Sequence, residues 1–250
     1  MEIFPFVINN QSTPHVGAKI FALLDKNNLL KCRAVTKVWR DIIDSETSLW
    51  SDMSPQMYCN AAEAARVDIC QLMVKHSENK NPATEWGNTP LLWAARQGHY
   101  YICSIILDHV DDKNPPNKSL RTPLHWAATN GHLDICRLII QSVKDKNPAD
   151  QNGKTPLHDA ATFGRLEVCK LIIDSVDDKN PADCIGQTPL HRAAKGGYVE
   201  ICQLLIDNVE DKHPRDNVGL TPLELARYGH WSLTYSFRDS LFILTILALN

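Results

Sequence analysis

Residues 122–132 read TPLHWAATNGH, and three other stretches stand in register with them: TPLLWAARQGH at 89–99, TPLHDAATFGR at 155–165 and TPLHRAAKGGY at 188–198. Thr-Pro returns a fifth time at 221–222, so the dipeptide recurs at a constant interval of 33 residues. A fixed interval of this length predicts a stack of small equivalent units, none of which buries its apolar face alone. The threonine is placed to cap a helix, and the proline after it occupies the first helical position, where a missing N–H costs nothing. Paired alanines keep that helix slim enough for close stacking. Gly98, Gly131, Gly164 and Gly197 supply a left-handed residue to end it.

A second helix follows in each copy, with apolar residues at helical spacing: Ile135, Cys136, Leu138, Ile139 and Ile140, then Val168, Cys169, Leu171, Ile172 and Ile173. Lys-Asn-Pro at 146–148 and 179–181 ends it, and Gly153, Gly186 and Gly219 set the turn of a protruding finger. Most of the 14 prolines and 11 glycines fall in these columns, so architecture accounts for most special backbone positions.

The Thr-Pro-Leu-His-x-Ala-Ala pattern resembles the ankyrin repeat. The resemblance implies an all-α, ankyrin-repeat solenoid of helix-turn-helix units with short β-hairpin fingers, used for binding other proteins. A degenerate first unit is expected over 56–88, four full units over 89–220 and an atypical last unit over 221–250, together a repeat domain of 56–250. The last unit ends in an apolar tail that suits a docked helix, a contact for another protein, or a truncated chain. His125, His158 and His191 share one column. In the resembled family this imidazole braces the start of the helix.

Eight cysteines raise the question of disulfides or zinc. Cys70, Cys103, Cys136, Cys169 and Cys202 are one position copied five times. Stacked helices stand about 8–10 Å apart, beyond the Cα separation a disulfide spans, and four thiolates cannot gather on a metal from such a ladder. These are expected to be buried thiols in a reducing compartment. No Gly-rich phosphate loop, nucleophile elbow or His-Glu-x-x-His stretch is present, so neither catalysis nor a cofactor or metal is implied. A formal charge of −3 and the lack of a basic cluster give nucleic-acid binding no support. The N-terminal MEIFPFVINNQ has no basic stretch, and the longest apolar run, Leu241 to Leu249, falls short of the roughly 20 residues of a membrane helix. No membrane association is implied, and a cytoplasmic or nuclear location is expected.

Residues 13–50 break the interval, after an N-terminal extension of 1–12. Apolar residues there suit three short helices, too small a core to stand well without a partner or neighbour. The stretch resembles an F-box through Pro14, Ile20-Phe21, Leu23-Leu24-Asp25, Leu29-Leu30, Arg33-Ala34-Val35, Trp39-Arg40 and Leu49-Trp50. That resemblance implies a small three-helix domain docking on the Skp adaptor of cullin-RING ubiquitin ligases. By position, the adaptor-binding candidates are Pro14, Ile20, Leu23, Leu24, Leu29, Val35 and Trp39. The chain is then a substrate receptor, non-catalytic itself. The alternative is a scaffold or inhibitor unconnected to ubiquitin, in which 13–50 only caps the stack.

In ankyrin proteins the fingers and the exposed side of the first helix grip targets. That face maps here to Trp86, Asn88, Arg96, Lys118, Arg121, Asn152, Lys154, Phe163, Gln187 and Lys195, the expected target-binding residues. The strip leans basic and offers Trp86 and Phe163 as anchors, so an acidic, partly apolar target is expected. Asp111-Asp112, Asp177-Asp178 and Glu210-Asp211 on the opposite loops read as a solvated edge.

Overall fold

A computed structural model describes residues 54–229 of the chain. The predicted three-helix segment 13–50 and the apolar tail beyond 229 lie outside the described residues. Among the described residues the regular structure is helical: eleven helices in six units. The first helices are α1 (Pro55–Glu63), α3 (Pro90–Gln97), α5 (Pro123–Asn130), α7 (Pro156–Thr162), α9 (Pro189–Lys195) and α11 (Pro222–Gly229). The second helices are α2 (Val67–His76), α4 (Tyr100–Leu107), α6 (Leu133–Ile140), α8 (Leu166–Ile173) and α10 (Val199–Ile206). Each first helix packs on the next first helix, and each second helix on the next second helix. The result is two parallel ranks sharing one continuous core.

Local chemistry sets each helix. Thr122, Thr155 and Thr188 form capping boxes with the histidine three residues on. The threonine N–H donates to the imidazole Nδ1 at 3.1 Å in all three. Thr89 caps α3 through its hydroxyl, which accepts from the Leu92 amide at 3.2 Å. In the first unit, which lacks Thr-Pro, Ser54 and Pro55 take over the cap. The alanine pairs of α3, α5, α7 and α9 are buried, which lets the first helices approach closely. Burying the apolar side of each second helix stabilises the stack by about 25 cal/mol per Å² of apolar surface removed from water.

Two columns of side chains lock the loops. Asn81, Asn114, Asn147 and Asn180 each accept, through Oδ1, from the leucine amide ten residues ahead. These are early amides of the first helices, which have no partner within the helix. Asn117, Asp150, Asp183 and Asp216 each accept two finger amides on Oδ1, two and four residues on. The fingers are tight turns joined to one another by single backbone bonds, such as Gln151 N–H to Ser119 C=O at 3.1 Å. They are too short to form strand ladders.

One finger is strained. Its turn needs a left-handed residue, which is Gly87, Gly153, Gly186 or Gly219 in the other copies, but Leu120 in the finger before Thr122, at φ 59°. A Cβ in that region costs roughly 1–2 kcal/mol, part of which returns through the lower entropy of the unfolded leucine. Leu120→Gly is therefore expected to raise the unfolding free energy by about 0.5–1 kcal/mol, measured by urea denaturation. A loss of stability would show that the half-exposed leucine side chain packs more favourably than its backbone is strained.

Candidate protein-interaction surface

The fingers and first helices form one face, and its centre is a ladder of indoles and guanidinium groups. Trp93 and Trp126 hold the same position in successive first helices, so stacking α3 on α5 places their rings as neighbours along the face. The Arg96 guanidinium carbon lies 5.0 Å from the Trp93 ring centre and 4.7 Å from that of Trp126. Arg121 adds a second guanidinium over Trp126, at 4.6 Å. In the same finger as Arg121, Lys118 Nζ stands 6.0 Å from the ring of Trp86 on the finger before, which is 65 % exposed. Cation–ring contacts of this kind contribute about 0.5–2 kcal/mol each, more when shielded from water.

The two arginines differ in what they face. Arg121 donates to Asp159 at 2.7 Å and pairs with Asp150 at 3.6 Å. Burial raises the Asp159 carboxyl above its ordinary value even with Arg121 beside it. Arg192 pairs in the same manner with Asp183. Burial alone would raise Asp183, but Arg192 and the Gln187 and Ile185 amides outweigh it and hold the carboxyl below its ordinary value. Arg96 has no carboxylate partner among the described residues.

Of the ten expected target-binding residues, Trp86, Lys118, Asn152, Phe163 and Lys195 are exposed on this face. Arg96 and Lys154 are half-buried. Three others are spent inside the stack. Asn88 accepts from Asn117 Nδ2 at 2.9 Å, Arg121 holds Asp150 and Asp159, and the buried Gln187 donates to Asp216 Oδ2 at 3.2 Å. Asn88, Arg121, Lys154 and Gln187 belong to one repeat column, which ties its own finger to the Asx residue of the next. The exception is Lys154, whose ammonium has no such bond. The face is thus less basic than its sequence: two aspartates neutralise Arg121, and reversing its charge would break the stack rather than probe a target. The adaptor-binding candidates Pro14, Ile20, Leu23, Leu24, Leu29, Val35 and Trp39 lie outside the described residues.

Sequence reasoning missed the Asx column of the fingers. Asp150, Asp183 and Asp216 hold the turns from buried positions, and their 33-residue spacing is as regular as that of Thr-Pro.

The histidine and cysteine columns are structural. His125, His158 and His191 are fully buried, and each Nε2 contacts the carbonyl of the next finger: Lys154 at 3.0 Å, Gln187 at 3.0 Å and Leu220 at 3.1 Å. Because the threonine N–H occupies Nδ1, the proton sits on Nε2, which donates to that carbonyl. Each imidazole therefore links two repeats. Burial pushes the His125 and His158 pKa values down to about 4 and lowers that of His191, so all three are neutral at pH 7. Burial pushes the Cys70, Cys136, Cys169 and Cys202 thiols up to about 12 and raises Cys103 as well. Thiols so disposed are poor nucleophiles and poor metal ligands. Among the described residues no group of three or more His, Cys, Asp or Glu side chains is arranged to hold a metal.

A crevice of ≈ 600 Å³ lies on the opposite loop side, between the Asp178–Asn180 loop and the next. Smaller ones of ≈ 510 and ≈ 310 Å³ lie between equivalent loops of earlier repeats. Open grooves that recur with the repeat and are lined by its common loop residues follow from stacking. On the finger face, by contrast, the side chains differ between copies.

Comparison with known families agrees with this architecture. A model for ankyrin repeats in three copies matches residues 44–117, 109–183 and 175–235, and an F-box-like model matches 14–56. No curated protein matches the chain closely enough to serve as a relative. No helix among the described residues is long and apolar enough to cross a membrane.

Proposed function

We infer, for a chain that belongs to the ankyrin-repeat family and carries an F-box-like segment at residues 14–56, that it is the substrate-recognition subunit of a Skp-cullin type ubiquitin ligase. The single observation that carries this reading is the pairing of two protein-interaction families in one chain, with no gap between them. The F-box-like match runs to residue 56, and α1 of the repeat stack already begins at Pro55. So short a junction favours a fixed distance between adaptor and target. A fixed distance raises the effective concentration of the target at the transferring enzyme.

In this reading Pro14, Ile20, Leu23, Leu24, Leu29, Val35 and Trp39 supply the apolar patch for the Skp adaptor, with the tryptophan as anchor. The finger face holds the target through Trp86, Phe163 and the free cations, while Asn88, Arg121 and Gln187 keep that face in shape. The chain performs no chemistry itself; ubiquitin transfer belongs to the cullin-bound partners. Such a chain works where the ligase does, in cytoplasm or nucleus.

Mixing the purified 250-residue chain with purified Skp adaptor and measuring the mass of the species in solution tests the reading. A one-to-one complex is expected, with affinity reduced at least about a hundredfold by Leu23→Ala combined with Trp39→Ala, as for removal of two hot-spot side chains. Unchanged repeat unfolding in the double variant would show that the loss is local. A folded chain that never binds the adaptor would instead support a scaffold or inhibitor without a ubiquitin link.

A further inference from the structure

We propose that Arg96 is a receptor for an oxyanion carried by the target protein: a carboxylate, or the phosphate of a phosphorylated side chain. The proposal deepens the reading of the finger face as the target surface and rests on it. A guanidinium over two indoles has already lost much of its rotational freedom and part of its water, so little ordering remains when a ligand arrives. Its donors lie in its own plane, as a fork matching the two oxygens of a carboxylate or phosphate. Arg96 is only half-buried, so this fork is within reach of an incoming chain.

The chain itself shows what such a group binds. Arg121, over the same Trp126 ring, takes the carboxylates of Asp150 and Asp159, and Arg192 takes that of Asp183. Arg96 has the same stacking, on two rings instead of one, and pairs with no carboxylate among the described residues. The Trp126 Nε1–H is buried and has no acceptor among the described residues, a polar cost that a phenylalanine would avoid. The indole's stronger attraction for cations offsets that cost.

The test uses the full chain and a random short-peptide library displayed on phage. Peptides selected on the wild type should carry a fixed Asp or Glu, and that preference should vanish from the pool selected on Arg96→Gln. For a synthetic peptide from the wild-type pool, Arg96→Gln should weaken binding about tenfold or more, as should Glu→Gln in the peptide. Arg96→Lys keeps the charge without the planar fork and should restore only a small part. Equal pools from wild type and Arg96→Gln, or full restoration by lysine, would overturn the proposal. Tighter binding when phosphoserine replaces the peptide glutamate assigns the site to phosphate; weaker binding assigns it to carboxylate. Peptides insensitive to Arg96→Gln but lost on Trp86→Ala would sink this inference and leave the target face standing. Peptides insensitive to both would sink the two together. Arg96→Gln breaks two cation–ring contacts, so its urea midpoint should fall; binding is therefore compared without denaturant, where the far-UV circular dichroism of the variant should match that of the wild type.

Discussion

Leu157→Ala lowers the unfolding free energy by about 3 kcal/mol, the middle of the range for a large-to-small change at a fully buried site. Leu157 is 0 % exposed, in α7, which packs between α5 and α9. The buried alanine pairs of those slim helices have no side chain that could fold into the void. The backbone partner survives, because the Leu157 amide donates to Asn147 Oδ1 whatever the side chain. The cost is therefore cavity and lost contact. A linear array adds a second consequence, since each unit touches only its neighbours and a weak middle unit uncouples the two ends. Urea denaturation followed by circular dichroism should show an earlier and broader transition. A loss below about 1 kcal/mol for Leu157→Ala would mean the repeats do not share one tightly packed core.

Acidification from pH 7 to pH 5 is expected to cost about 4 kcal/mol, roughly 2 kcal/mol from each of His125 and His158. Both pKa values fall from 6.5 to about 4 on folding, because burial penalises the imidazolium. Between those limits the unfolded chain binds more protons than the folded one. Stability is therefore complete above the unfolded value, declines as pH falls toward about 4, and loses nothing more from these groups below it. His191 is shifted in the same direction and adds to the loss. Asp159, raised by burial, works in the opposite sense at lower pH. His158→Gln should keep the capping box, since glutamine is at home at the third helical position, while deleting one titration. Its urea midpoint should be lower at pH 7 yet change less between pH 7 and pH 5. A wild-type midpoint indifferent to pH over this window would show that the imidazoles are not sealed from water.

What the sequence disclosed and what it hid divide along a physical line. Thr-Pro, the alanine pairs and the terminal glycines act within their own turn of chain, so each states its role wherever it stands, and the 33-residue interval multiplies the signal. Even the unit without Thr-Pro is capped by the same means, through Ser54-Pro55. The inward bonds of Asn88, Arg121 and Gln187 were hidden because their partners lie 29 to 38 residues away and meet them only after stacking. Arg121 illustrates the point. In sequence it is one basic residue among several, and only the approach of α7 and the next finger brings Asp159 and Asp150 to it. The contrast between Arg121 and Arg96, on which the oxyanion site rests, exists at that level alone. Leu120 was concealed otherwise: it stands in a column of glycines, and its left-handed backbone shows the turn geometry prevailing over side-chain preference.

The most direct test of the central claim is ubiquitin transfer in a reconstituted ligase of Skp adaptor, cullin and RING subunits, with this chain as the sole receptor. Proteins held by the finger face should acquire ubiquitin with the wild-type chain. Transfer should fail with Leu23→Ala plus Trp39→Ala, although capture persists, and should fail again with Trp86→Ala plus Arg96→Gln, although the adaptor still binds. Capture and adaptor binding by the wild type without any transfer would contradict the account.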